Sequence, residues 1–80
     1  MDLSQIPLEV LKAEHDGVDR IMSAAGFRRS FTAMCATHRC AACPMKDACD
    51  GLRDDSPGWP ERKERYLLAL RAEIERRINV

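Results

Sequence analysis

Four cysteines, the full complement of this chain, fall within the fifteen residues "CATHRCAACPMKDAC" (35–49), here called the cysteine segment. Their spacing is Cys35-x4-Cys40-x2-Cys43-x5-Cys49. Structural zinc sites usually draw on two short cysteine pairs, whereas this segment has one short pair between two single cysteines. The grouping favours a [4Fe–4S] cluster, in which each iron takes one thiolate, with Zn²⁺ as the alternative and disulfides or free thiols as a third interpretation.

The stretch "RCAACPMKDAC" resembles the iron–sulfur cluster loop of the endonuclease III and adenine glycosylase DNA repair enzymes. The pattern of that family is Cys-x6-Cys-x2-Cys-x5-Cys. Cys40, Cys43 and Cys49 match it, Pro44 follows Cys43, and Cys35 stands two residues nearer than the family's first cysteine. The helix-hairpin-helix catalytic body of those enzymes is absent, so the resemblance implies cluster binding on the four cysteines and no repair activity.

A second resemblance covers more of the chain. "CAACPMKDAC", "PGWPERKER" and the length of 80 residues are similar to the plan of WhiB-like regulators. Those proteins have a distant first cysteine, then Cys-x2-Cys, a turn with Gly and Trp, and a charged tail. The resemblance implies a redox-responsive transcriptional regulator, although Cys35 lies closer to Cys40 than the family's first cysteine usually does.

Cations cluster around the cysteine segment. A thiolate-bound cluster is net negative, and buried negative charge needs hydrogen-bond donors or cations. The residues expected to neutralise the site or to contact a partner lie within the segment or just before it: His38, Arg39, Lys46, Arg28 and Arg29. His15, on the apolar face of a predicted helix, is a possible alternative ligand if one cysteine does not reach the metal.

The elements that would position these residues are helical. A first helix is predicted from Ser4 and Pro7 to a stop at Gly26, because apolar or weakly polar residues recur on one face. The residues of that face are Leu11, His15, Val18, Met22 and Ala25. A second short helix is expected over 28–38, a single turn starts at Pro44, and the turn-rich stretch 50–59 is expected to be a loop.

The last segment predicts a long helix from Pro60 to about Ile78. Pro60 suits a helix start, Glu61 and Arg77 suit the two ends of its dipole, and an apolar stripe follows helical spacing. The members of the stripe are Leu67, Leu70, Ile74 and Ile78. No stretch alternates with a period of two, so no sheet is expected.

These elements predict a small all-α domain of two long helices plus one or two short ones, wrapped around a metal or cluster loop that carries the four cysteines. The 1–80 chain is taken as a single domain, with N-terminal helices in 1–34, the cluster loop in 35–49, a connecting loop in 50–59 and the C-terminal helix in 60–80. A chain of 80 residues buries a modest core, so a metal staple would contribute substantially to its stability.

Composition narrows the class of function. Thirteen Lys and Arg balance thirteen Asp and Glu, so no net charge draws the chain to nucleic acid or an anionic membrane. The absence of a long apolar run favours a cytoplasmic protein, in whose reducing compartment clustered cysteines are metal ligands. Four cysteine ligands leave no open iron, and no nucleophile–base pair is evident, so an enzyme is not expected.

Three roles then remain. The first is an accessory or electron-transfer subunit that docks on a larger redox enzyme or regulator. The second is a WhiB-like redox-responsive regulator, and the third is a structural zinc-binding module. The expected partner is a protein, nucleic acid is possible but not favoured, and no membrane association is expected.

Overall fold

The computed structural model describes residues 2–79 and is mostly helical. Its five α-helices and one 3₁₀ turn are α1 (Leu8–Asp19), α2 (Ala24–Arg29), α3 (Ala33–Thr37), the 3₁₀ turn Cys40–Ala42, α4 (Lys46–Leu52) and α5 (Trp59–Ile78). No strand occurs within residues 2–79, so the prediction of an all-α fold is confirmed. The short helices number three, more than the one or two expected.

Helices α1 and α5 pack against each other and form the main body of the core. Leu11 of α1 and Leu70 of α5 are fully buried, and Val18 and Leu67 are nearly so. Burial of aliphatic side chains at this spacing is what gives an amphipathic helix most of its stability in a protein. The predicted apolar stripe of α5 is confirmed from Leu67 to Ile74, whereas its last member, Ile78, is 57% exposed.

The N-terminal helix is shorter than predicted. It ends at Asp19 and the chain turns before α2 begins at Ala24, where the Ser23 hydroxyl accepts a hydrogen bond from the Gly26 amide at 3.0 Å. Gly26 therefore lies inside a helix that Ser23 caps and does not stop the first one. Because the turn breaks the helical register, Met22 is 81% exposed and does not continue the buried face.

The region between α2 and α5 is also divided differently from the prediction. The proposed helix over 28–38 is interrupted after Arg29, because Ser30 is extended and α3 starts only at Ala33. Helix α4 runs to Leu52, so "DGL" (50–52) is helical instead of belonging to the loop. The Trp59 indole N–H of α5 donates to the Leu52 carbonyl at 2.5 Å and satisfies the end of α4.

The N-terminal segment is held by the last turns of α5. The guanidinium of Arg77 donates to the carbonyl oxygens of Leu3 and Ile6, and its Nε also donates to the Glu73 carboxylate at 2.7 Å. Glu73 and Arg77 thus form an i,i+4 pair that also supports the last turns of α5. No helix within residues 2–79 is long and apolar enough to cross a membrane.

Candidate metal centre

The four cysteines lie on different elements but line one cavity of about 60 Å³. Cys35 is in α3, Cys40 opens the 3₁₀ turn, Cys43 follows that turn, and Cys49 is in α4. All four thiols are free; Cys40 is exposed and the other three are half-buried. Because a water needs only about 10–15 Å³ of such space, the cavity has room for several water-sized groups.

The local sequence explains how Cys40 and Cys43 come to the same side. The Cys43 amide donates to the Cys40 carbonyl at 3.3 Å, which closes the 3₁₀ turn between them. Cys43 itself is extended, with φ −74° and ψ 126°, as expected for the residue before a proline. Pro44 thus separates the turn from α4, and the Cys49 amide then donates to the Met45 carbonyl at 2.8 Å in the first turn of that helix.

Burial makes the thiolate form of Cys49 unfavourable. It raises the pKa of the Cys49 thiol above its ordinary value, and the neighbouring Cys35, Asp50 and Cys43 act in the same direction, whereas Arg53 acts against them. Thiolates gathered in such a place need a compensating positive charge, which a metal or cluster supplies when it binds. Arg53 lines the cavity, and its positive charge acts to lower the pKa of the Cys49 thiol.

Cys35 has a hydrogen-bond donor next to it. The Thr32 hydroxyl, just before α3, lies 3.4 Å from the Cys35 sulfur and donates to it. Thr32 does not cap the backbone of α3, so its hydroxyl is available to the thiol. The spacing of the cysteines does not point to Thr32, which was not among the predicted site residues.

The rest of the lining is largely apolar. Phe27, Met34, Met45 and Tyr66 surround the cysteines, together with the buried carboxylate of Glu14. Burial and the adjacent Glu14 raise the pKa of the Tyr66 hydroxyl far above its ordinary value, so this group stays protonated and acts as a donor. Neither Glu14 nor Tyr66 was singled out from the sequence, because each lies far along the chain from the cysteines.

The five cationic candidates divide into two groups. His38 and Lys46 line the cavity, although Lys46 also pairs with Asp50 at 3.1 Å. Arg28, Arg29 and Arg39 do not line it, and all three are exposed.

Arg28 has a structural contact instead. Its guanidinium donates to the Arg53 carbonyl at 2.7 Å and to the Asp55 carboxylate at 2.9 Å. It therefore connects α2 to the loop after α4. These contacts account for the position of Arg28, so no direct role at the thiols is needed to explain it.

His15 lies outside the cysteine cavity. Its Nε2 accepts a hydrogen bond from Arg71 of α5 at 2.8 Å, and Nδ1 lies 3.3 Å from the Asp16 carboxylate. The residue of α1 that faces the cavity is its neighbour Glu14. The suggestion that His15 replaces a missing cysteine therefore finds no support in its position, since Arg71 occupies its free ring nitrogen.

The four thiols that line the cavity equal in number the thiolates that a [4Fe–4S] cluster takes from a protein. As they stand, no three His, Cys, Asp or Glu side chains among residues 2–79 are arranged to hold a single metal ion. Comparison with known proteins adds no relative: no protein-family model, no curated protein and no solved structure matches this chain.

Proposed function

We propose that this chain is a small iron–sulfur protein that docks on a larger redox enzyme and exchanges electrons with it. The observation that carries the proposal is the shared cavity, which all four cysteines line although they lie on three helical elements and a loop. Cys35, Cys40, Cys43 and Cys49 would hold a [4Fe–4S] cluster. Such a cluster takes up one electron from a reduced partner and returns it to an oxidised one.

The exposure of Cys40 supports electron exchange. It opens the 3₁₀ turn at the surface, whereas Cys35, Cys43 and Cys49 are half-buried. A cluster held by these residues would be covered on its inner side by Met34 and Met45 and would reach the surface through the Cys40 thiolate. An asymmetric burial of this kind lets a partner approach the cluster without exposing it fully to solvent.

The surface beside the cavity has the composition of a docking face. Phe31 is 77% exposed and precedes Thr32, which lines the cavity. Arg29 and Arg39 are exposed, and neither has a carboxylate partner within the described residues. Aromatic and arginine side chains are enriched in protein interfaces, and an exposed large aromatic often marks one.

The charged tail lends less support to a DNA-binding regulator. In "PERKER" (60–65), Arg62 donates to the carbonyls of Gly51 and Asp54, and Lys63 donates to the Asp19 carbonyl at 2.9 Å. These contacts connect α5 to α4, to the loop residue Asp54 and to the last residue of α1, so two of the basic side chains serve the fold.

Anaerobic reconstitution with ferrous iron and sulfide tests cluster binding. We expect about four iron and about four sulfide per chain, visible absorbance that bleaches on reduction, and an EPR signal of the reduced protein. Substitution of each cysteine by serine, one at a time, should lower the iron content while the metal-free chain keeps its helical circular dichroism. A chain that takes up one zinc and no sulfide would contradict the proposal.

The role as an electron carrier needs a second measurement. Repeated reduction and reoxidation should return the same spectrum and leave the cluster in place. Cluster loss in air accompanied by a change in salt-dependent binding to DNA would instead identify a regulator.

A further inference from the structure

Glu14 is the one charged side chain that is buried within residues 2–79, with 1% of its surface exposed. No Lys or Arg forms an ion pair with it in that part of the chain. A buried carboxylate without a cation is costly unless hydrogen-bond donors satisfy it. The contacts of Glu14 must therefore explain why a carboxylate is tolerated at this buried position.

Two donors from different elements satisfy the carboxylate. The Met34 amide, in the first turn of α3, donates to Oε1 at 3.0 Å, and the Tyr66 hydroxyl of α5 donates to Oε2 at 2.6 Å. Met34 directly precedes Cys35. Because Thr32 does not cap α3, Glu14 supplies the acceptor that the start of this short helix lacks in its own sequence.

The same network reaches the other cysteines. The Tyr66 hydroxyl oxygen also lies 2.7 Å from the Met45 sulfur, and Met45 immediately precedes α4, which carries Cys49. All of Met34, Met45 and Tyr66 are buried, with 3% or less of their surface exposed. One carboxylate thus joins the element that carries Cys35 to the scaffold on which Cys43 and Cys49 are placed.

We propose that Glu14 is a positioning residue for Cys35. Through the Met34 amide and Tyr66 it sets the place of Cys35 relative to Cys43 and Cys49. The inference rests on the proposed cluster site, for which Cys35 must reach the cavity from a helix of five residues that has little of its own to hold it.

The test compares Glu14→Ala, Glu14→Gln and Tyr66→Phe with the control Glu9→Gln, an exposed position on the same helix. The metal-free chain is alkylated with iodoacetamide, and the rate at each cysteine is read by mass spectrometry with Cys49 as internal reference. We expect Glu14→Ala to accelerate alkylation of Cys35 about tenfold relative to Cys49, because the Met34 amide and the Tyr66 hydroxyl lose their acceptor.

Glu14→Gln keeps an acceptor oxygen for the Met34 amide and should stay within about twofold of the wild-type ratio, as should Glu9→Gln. Tyr66→Phe should fall between the two Glu14 variants. Circular dichroism melts show whether each variant is folded, and Glu14→Gln keeps the test informative if Glu14→Ala is not. After reconstitution, Glu14→Ala should hold less iron than Glu14→Gln.

An unchanged ratio in Glu14→Ala, or an equal acceleration at all four cysteines, would overturn the proposal, since the second result describes only a general loss of stability. The alkylation experiment uses no iron, so it reports on the position of Cys35 independently of the cofactor. A wild-type chain that fails to take up iron and sulfide would contradict the proposed function. The alkylation result would still show whether Glu14 positions Cys35.

Discussion

Helices α1 and α5 meet through fully buried aliphatic side chains, whereas residues 30–58, here called the short-helix region, combine fewer buried apolar side chains with several directed hydrogen bonds. Of the thirteen buried apolar residues, the short-helix region supplies three: Met34, Met45 and Leu52. Cys43, Ala48 and Cys49 of this region also pack against the core as partly buried side chains. Polar contacts with Glu14, Trp59, Arg62 and Arg28 add to these attachments. The comparison indicates that the two-helix body is stabilised mainly by packing and that the cysteine-bearing region depends more on specific hydrogen bonds.

The largest effect is expected in the two-helix body. Leu70 is fully buried, and Leu70→Ala should lower the free energy of unfolding by about 3 kcal/mol. This is a large share of the total stability of a small domain. Urea denaturation followed by circular dichroism measures this. The control Leu68→Ala, at a position that is 52% exposed, should change it by less than about 0.5 kcal/mol. Equal effects at the two positions would contradict the packing described for α5.

A smaller effect is expected where α5 holds the end of α4. Trp59→Phe removes the indole N–H and leaves the Leu52 carbonyl without its partner, at a cost of about 1–3 kcal/mol. Hydrogen exchange should become faster in residues 46–54 while the amides of α1 keep their protection. If α1 and α4 lose protection together, the two regions are not energetically separable and the comparison fails.

Arg62 should contribute about 1 kcal/mol, less than Trp59. Its Nε donates to the Gly51 carbonyl at 2.8 Å and its guanidinium also reaches the Asp54 carbonyl at 3.2 Å, partly at the surface. Arg62→Met should increase limited proteolysis within 51–58. Arg65→Met is the matched control, since Arg65 is exposed on the same helix, and it should leave the cleavage pattern unchanged. Similar cleavage in both variants would remove the structural role assigned to Arg62.

The smallest effect concerns pH and the end of α5. Hydrogen bonds from Arg76 and Arg77 hold the pKa of the half-buried Glu73 carboxyl below its ordinary value. Because the folded-state pKa is lowered, the stabilisation is present above the unfolded pKa of about 4.3 and is lost as the pH falls through the folded value. The stability difference between wild type and Glu73→Gln should therefore be small at neutral pH and vanish in acid. A difference that grows in acid would contradict this pairing.

The prediction from sequence was best where packing and local signals agree. The start of α5 at Trp59 follows from Pro60, and Leu67 and Leu70 lie on the apolar stripe as expected. It was least accurate at the end of α1, where the sequence predicts a stop at Gly26 although Ser23 makes that glycine part of the first turn of α2. A capping serine and a terminal glycine are both local signals, and only the path of the chain decided between them.

The apolar face of α1 also shows, at a single residue, that local sequence signals do not decide the structure. Leu11 and Val18 were correctly placed in the core, but spacing alone put His15 there and missed Glu14. A carboxylate is not expected in a core unless donors meet it, and those donors, the Met34 amide and the Tyr66 hydroxyl, come from residues 20 and 52 positions away. No pattern within α1 contains that information.

By itself the sequence determined the all-α class, the long C-terminal helix and the extended geometry at Cys43 that Pro44 imposes, because each of these follows from helical periodicity or from backbone sterics between neighbours. The cysteine spacing predicted that the four thiols come together, but the tertiary structure alone decided that Glu14 and Tyr66 line their cavity. Those relations join residues of α1, α3, α4 and α5, and packing between distant segments selects them through burial and hydrogen-bond satisfaction that no local pattern records.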